Sequence, residues 1–116
     1  MKPIFRSDGE VMAVEHQGHL YSVEGDWLGE IRGHAVITDN GRKLGYLSPD
    51  QRLLNERTPR GNERQVPGRR QRILHSIPMS FKLPPMFKNI PFHIIDVFEE
   101  HPNLVQKARE LRPDIE

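Results

Sequence analysis

From residue 3 to residue 48 the chain sets short apolar pairs ahead of an acid or amide plus glycine, three times at a spacing of sixteen. The copies read PIFRSDGEVMAV, HLYSVEGDWLGEI and HAVITDNGRKLGYL. Ile4-Phe5, Leu20-Tyr21 and Val36-Ile37 are the leading pairs, and Asp8-Gly9, Glu24-Gly25 and Asn40-Gly41 follow them. Each copy then gives one apolar residue (Met12, Leu28, Leu44) and one very small one (Ala13, Gly29, Gly45). Apolar runs around Asp-Gly or Asn-Gly predict β-hairpins, because a two-residue type I′ turn needs positive φ at both centres and these residues tolerate it. Gln17-Gly18 and Arg32-Gly33 supply turns between the hairpins, so about six short strands are predicted over residues 3–47 as an antiparallel meander or a near-closed ring. Alternation along a strand puts Met12, Val14, Leu28, Leu44 and Tyr46 on one face, the predicted core. Ala13, Gly29 and Gly45, at one repeat position, mark a place where backbones crowd. A fourth copy begins near Arg52-Leu53-Leu54, with a longer turn at Thr58-Pro59-Arg60-Gly61 and a weakly apolar return over Glu63–Val66.

Trp27-Leu28-Gly29-Glu30-Ile31 and Asn40-Gly41-Arg42-Lys43-Leu44-Gly45-Tyr46-Leu47 carry a resemblance to the four-fold β-flower family of small bacterial proteins. The resemblance covers about residues 3–56 and implies four hairpins arranged in a pseudo-symmetric unit. The first copy has Ala13 where the others have glycine. The resemblance brings with it no established activity and no catalytic residue.

Beyond the repeats the pattern changes. RTPRGNERQVPGRRQR, from Arg57 to Arg72, has six arginines against one glutamate and no helical or strand period. Its composition predicts a basic connector without a core of its own. Pro78, Pro84, Pro85 and Pro91 then forbid a long regular element, while Met79, Phe81, Leu83, Met86 and Phe87 are too apolar to lie free. They are expected to run extended over the β-unit or a partner. Two short helices end the chain: Phe92 to Glu100, and one opened by His101-Pro102-Asn103 with Leu104, Val105, Ala108 and Leu111 at helical spacing before Pro113. The expected class is α+β, in three parts of one compact domain: hairpin repeats over 1–56, the connector over 57–91, and a helical segment over 92–116.

At 116 residues there is room for one domain. The N-terminus has no apolar leader, no run is long enough to span a membrane, and cysteine is absent. Those features suit a soluble, cytoplasmic protein, and the absence of cysteine removes disulfides, thiolate metal sites and a cysteine nucleophile. A net charge of +1 conceals sums of −3 over residues 1–50, +7 over 51–90 and −3 over 91–116. Such a pattern fits either a polyanion-binding strip or segments that attract one another in the fold or across a subunit boundary.

No motif compels a reaction: HExxH, a glycine-rich phosphate loop and a G-x-S-x-G elbow are all missing. No catalytic residue, metal ligand set or cofactor is assigned. His16, His19 and His34 flank turns, where imidazoles are ordinarily just exposed; Asp96, Glu99 and Glu100 read as a solvated helix face. Three function classes stay open. The first is a non-enzymatic, self-associating module, a homodimer or dimer of dimers. Phe92, Ile94, Ile95, Val97 and Phe98 make its first helix apolar around more than one partner can cover, and Leu104 and Leu111 add to the candidate interface. The second is weak nucleic-acid binding through Arg57, Arg60, Arg64, Arg69, Arg70 and Arg72. The third is a small-molecule binder or enzyme with a pocket near Trp27, Tyr46, His19 and His34. Trp27 stands on the face opposite Leu28, so it is either a contact surface or a residue covered by the connector or helices.

Overall fold

The computed structural model describes residues 1–58, 64–78 and 80–110, so Met79, Arg60 and Leu111 lie outside the described residues, as do Pro59, Gly61 and Glu63. Among the described residues eight antiparallel strands form one sheet in chain order: β1 (Lys2–Phe5), β2 (Val11–His16), β3 (His19–Ser22), β4 (Trp27–Arg32), β5 (Ala35–Ile37), β6 (Lys43–Leu47), β7 (Leu53–Glu56) and β8 (Ile94–Asp96). Helices α1 (Val97–Glu100) and α2 (Leu104–Glu110) follow. The architecture is an α+β hairpin meander, with the six predicted strands in place as β1–β6.

The repeat is visible in the register. Ile4 faces Ala13, Leu20 faces Gly29 and Val36 faces Gly45, so a large residue meets a small one each time. Directly before each small residue the register slips, leaving Met12, Leu28 and Leu44 as the extra residue of a β-bulge. A bulge suspends the alternation of faces. Met12 and Ala13, which period-two counting sends to opposite sides, therefore both pack into the main core with Ile4, Leu20, Leu28, Val36, Leu44 and Leu53. Val14, expected beside Met12, lies instead in a second cluster with Tyr21 and Trp27.

The crowding at the small position is tight. A Cβ on Gly45 would stand 2.6 Å from the Leu54 carbonyl oxygen and 3.1 Å from Leu53 Cδ1. Gly45→Ala is expected to push β7 outward and to cost about 1–3 kcal/mol, as overpacking does. Urea denaturation measures it, and a change under about 0.5 kcal/mol would mean that β7 yields freely.

The hairpin turns differ from the predicted type I′. In the first, Gly9 N–H donates to the Arg6 carbonyl (2.8 Å) and Arg6 N–H to the Glu10 carbonyl (2.8 Å), with Gly9 at φ 92°. That is a type I turn closed by a left-handed glycine, a three-residue loop. The second and third hairpins repeat it around Gly25 and Gly41. The two-residue turn with both centres at positive φ falls at Gln17-Gly18, between hairpins.

A fourth turn of the same bonding comes early, from Ser48 to Arg52, with Gln51 (φ 63°) in the glycine place. Of the predicted return over Glu63–Val66, the described residues Arg64–Val66 carry no strand. The partner of β7 is β8, with Leu54 opposite Asp96 and Glu56 opposite Ile94. The predicted helix from Phe92 to Glu100 is thereby corrected. Ile94 and Ile95 are β-branched and meet an unpaired edge of β7, and pairing with that edge outweighs the helical spacing. Helix begins only at Val97, capped by the Asp96 carboxylate accepting from Phe98 N–H (3.1 Å). α2 brings Leu104, Val105 and Ala108 onto the main core, as its spacing predicts.

Between β7 and β8 the described residues carry neither helix nor strand, yet their backbone is fastened to the hairpin tips in reverse order. Gln65 N–H donates to Gly41 O (2.9 Å), Gly68 N–H to Thr38 O (2.9 Å) and Leu74 N–H to Gly25 O (2.8 Å). Pro84 then lies over Gly9, and Lys88 reaches Asp50 and Arg52. Glycine is required at the tips themselves, because a side chain on Gly25 or Gly41 would strike the carbonyl of Leu74 or Gln65.

Candidate functional site

Three surfaces or clusters bear on function. The first surrounds Trp27. β4 places it opposite Tyr21 on β3, and its indole N–H donates to His19 Nδ1 at 3.0 Å. Trp27 is only 5% exposed, under Leu74, Ile77 and Phe81 of the connector, and the Arg70 guanidinium stands 5.7 Å from its ring centre. Burial pushes the Tyr21 hydroxyl pKa up. Of the candidates, His19 and Trp27 are brought together, while Tyr46 and His34 lie in the third hairpin. There the Lys43 amine stands 5.4 Å over the Tyr46 ring, and His34 is exposed. Among the described residues no group of three or more His, Asp or Glu side chains is placed to hold a metal ion.

The second cluster joins the start of the sheet to its end, and sequence reading missed it. Ile4, Leu20 and Val36 share a repeat position whose next occurrence, sixteen residues on, is Arg52. One cation in an apolar column was the available signal. Arg52 is 3% exposed and forks onto Asp50, Nε to Oδ1 at 3.2 Å and Nη2 to Oδ2 at 2.7 Å. Its Nη1 donates to Ser7 Oγ (3.0 Å) and its Nη2 to Lys88 O (2.7 Å), while Phe87 stacks under the guanidinium, 4.9 Å from the ring centre. Ser7 in turn donates through N–H (2.8 Å) and Oγ (2.6 Å) to Asp96 Oδ2. Burial works against the Asp50 carboxylate, but the bonds from Arg52, Ser48 and Lys88 N–H outweigh it and hold its pKa below the usual value. Every group here has a partner inside the chain, so the arrangement is a clasp between strands rather than a site with a free reacting atom.

The third is a surface. Leu83 is 90% exposed and Met86 94%, on the Pro84-Pro85 elbow between Lys82 and Lys88. Phe87 anchors that elbow against Phe5 (ring centres 6.1 Å) and Arg52. Beside it opens a cleft of ≈ 520 Å³ lined by Met1, Lys2, Pro3, Phe5, Phe81 and Leu83 among others. Phe92 is also exposed, under the Arg57 guanidinium at 4.4 Å. The other candidate interface residues lie differently. Val97 and Phe98 are 1% exposed within the chain's own core, Ile95 is buried on β8, and Ile94 and Leu104 are half-buried.

The candidate arginines divide. Arg57 donates to Phe92 O (2.8 Å) and lies 3.8 Å from Glu100; Arg70 pairs with Asp39 (3.0 Å). Arg64, Arg69 and Arg72 are exposed, with no side-chain partner among the described residues.

Among the described residues no helix is long and apolar enough to cross a membrane. Comparison with protein-family models, curated proteins and solved structures returns no match.

Proposed function

We propose that the chain is a non-enzymatic interaction module that associates with a second copy of itself through the Leu83–Met86 elbow and the cleft beside it. The observation that carries this reading is the exposure of Leu83 and Met86, at 90% and 94%, on either side of Pro84-Pro85. Knob and hollow share one face, so a two-fold axis beside them seats each elbow in the other copy's cleft and makes the contact twice. Burying an apolar side chain yields about 1.5–3 kcal/mol, so four give a gross of about 6–12 kcal/mol. Association costs at least about 4 kcal/mol, and the upper end of the gross leaves about 8 kcal/mol, a dimer of micromolar affinity.

Lys2 and Lys82 would rim that contact from both copies. Screening of like charges makes the association tighten as salt rises. Sedimentation equilibrium tests the reading: the mass of the full chain should climb above 13.5 kDa with concentration, and L83S combined with M86S should hold it there. A wild-type chain that stays monomeric at high micromolar concentration in 0.5 M salt refutes the proposal.

A further inference from the structure

The free arginines of the connector do not stand alone. Gln65 N–H is bonded to Gly41 O (2.9 Å), which sets Arg64 next to Arg42, the residue after Gly41. Gly68 is locked on the same hairpin by its bond to Thr38 O (2.9 Å), and a Cβ there would stand 2.5 Å from Ile37 O. Arg69 follows directly, and Arg72 comes two residues before the next fastening, Leu74 on Gly25. All four side chains are exposed and without a partner among the described residues.

Among the described residues, three carboxylates of the hairpins that carry the connector are committed to other cations. Glu24 is bonded to Arg109, Asp39 to Arg70 and Glu30 to Arg32. Arg32 also donates to Pro67 O (3.0 Å), which fixes the arm that presents the strip. A row of uncompensated guanidiniums on backbone pinned at three points differs from an ordinary solvated charge run. It is matched by a ligand that carries evenly spaced anions on a continuous chain.

We infer that Arg42, Arg64, Arg69 and Arg72 form a contact strip for the phosphodiester backbone of a nucleic acid. Trp27 and Tyr21 lie under the connector, so base stacking contributes nothing and binding is independent of sequence. The strip excludes Arg57 and Arg70, which are held within the fold, and adds Arg42 from the third hairpin.

Fluorescence anisotropy on a 20-nucleotide oligo-dT, an oligo-U of that length and a DNA duplex tests the strip on the full chain. The expected dissociation constant near physiological salt is about 10⁻⁴ to 10⁻⁶ M. Four phosphate contacts predict log K against log salt slopes of about −3 for the single strands and about −3.5 for the duplex. Each Arg→Gln change at the four positions should flatten the slope by about one. The R42Q/R64Q/R69Q/R72Q chain should lose binding while unfolding at an unchanged temperature and keeping its sedimentation behaviour. Three outcomes overturn the inference: no binding to any probe in 50 mM salt, equal binding by the quadruple variant, or binding to phosphatidylserine vesicles without binding to the oligonucleotides. Self-association survives all three, since the elbow and the strip share no residue.

Discussion

Arg52→Met is expected to lower the unfolding free energy by about 3–5 kcal/mol, the cost of breaking a buried ion pair by removing one partner. Arg52 ties together three parts of the chain that sequence separates widely: Ser7 in the first turn, Asp50 in its own turn, and Lys88 near the end of the connector. Methionine fills the same space but leaves Asp50, whose side chain is 13% exposed, without its cation. The pH dependence carries a sign. A carboxylate whose folded pKa is lowered stabilises the fold above the ordinary carboxylate range, and that stability is lost as pH falls through and below it. In Arg52→Met the cation is gone, so the Asp50 pKa should rise and the stability lost on acidification should shrink. Urea denaturation from pH 7 down to pH 3 measures both effects. Adding Asp50→Asn to Arg52→Met should recover part of the loss; a purely additive double variant would show that the pair is not coupled.

The repeat was legible because glycine and the acid or amide before it recur every sixteen residues, and β1–β6 lie where that spacing puts them. The turn type was not, because a G1 turn and a type I′ turn both favour a glycine after Asp or Asn, and only bonding such as Arg6 N–H to Glu10 O separates them. The bulges escaped for a related reason. Leu28-Gly29 reads as two faces under strict alternation, and the extra residue that turns both inward has no side-chain signature beyond the large-small pair itself.

The last strand was hidden by distance. Leu54 and Asp96 are opposite each other on β7 and β8, yet the connector between them carries no period that reports where it is going. The same gap concealed the cover over Trp27, because Leu74, Ile77 and Phe81 gain their positions from backbone bonds such as Leu74 N–H to Gly25 O rather than from any local propensity. Of the candidate site, the arginine run was plain in the composition. Which guanidiniums remain free depends on how the acids nearby are used: Asp39 takes Arg70, while Glu30 accepts from the Arg69 backbone N–H and pairs with Arg32, leaving the Arg69 guanidinium without a partner among the described residues.

Two phenylalanines six residues apart separate the strand-then-helix arrangement from a single apolar helix. Phe98→Ala is expected to cost about 3–5 kcal/mol, because the ring is 1% exposed in the main core with Val97, Leu53 and Ile4, and its loss leaves a cavity that β7 and α1 cannot close. Phe92→Ala should cost no more than about 1 kcal/mol, since that ring is 83% exposed and gives up little beyond the Arg57 guanidinium stacked on it. Were Phe92 to Glu100 one helix apolar on every side, the two rings would sit six positions apart on a surface shared with a partner, and both substitutions would act on self-association rather than on folding of the single chain. Urea denaturation of each variant at low micromolar concentration, below the expected dimer affinity, isolates the folding term. A loss under about 1 kcal/mol for Phe98→Ala would remove α1 from the core and, with it, the pairing of β8 on β7 that delivers Phe98 there.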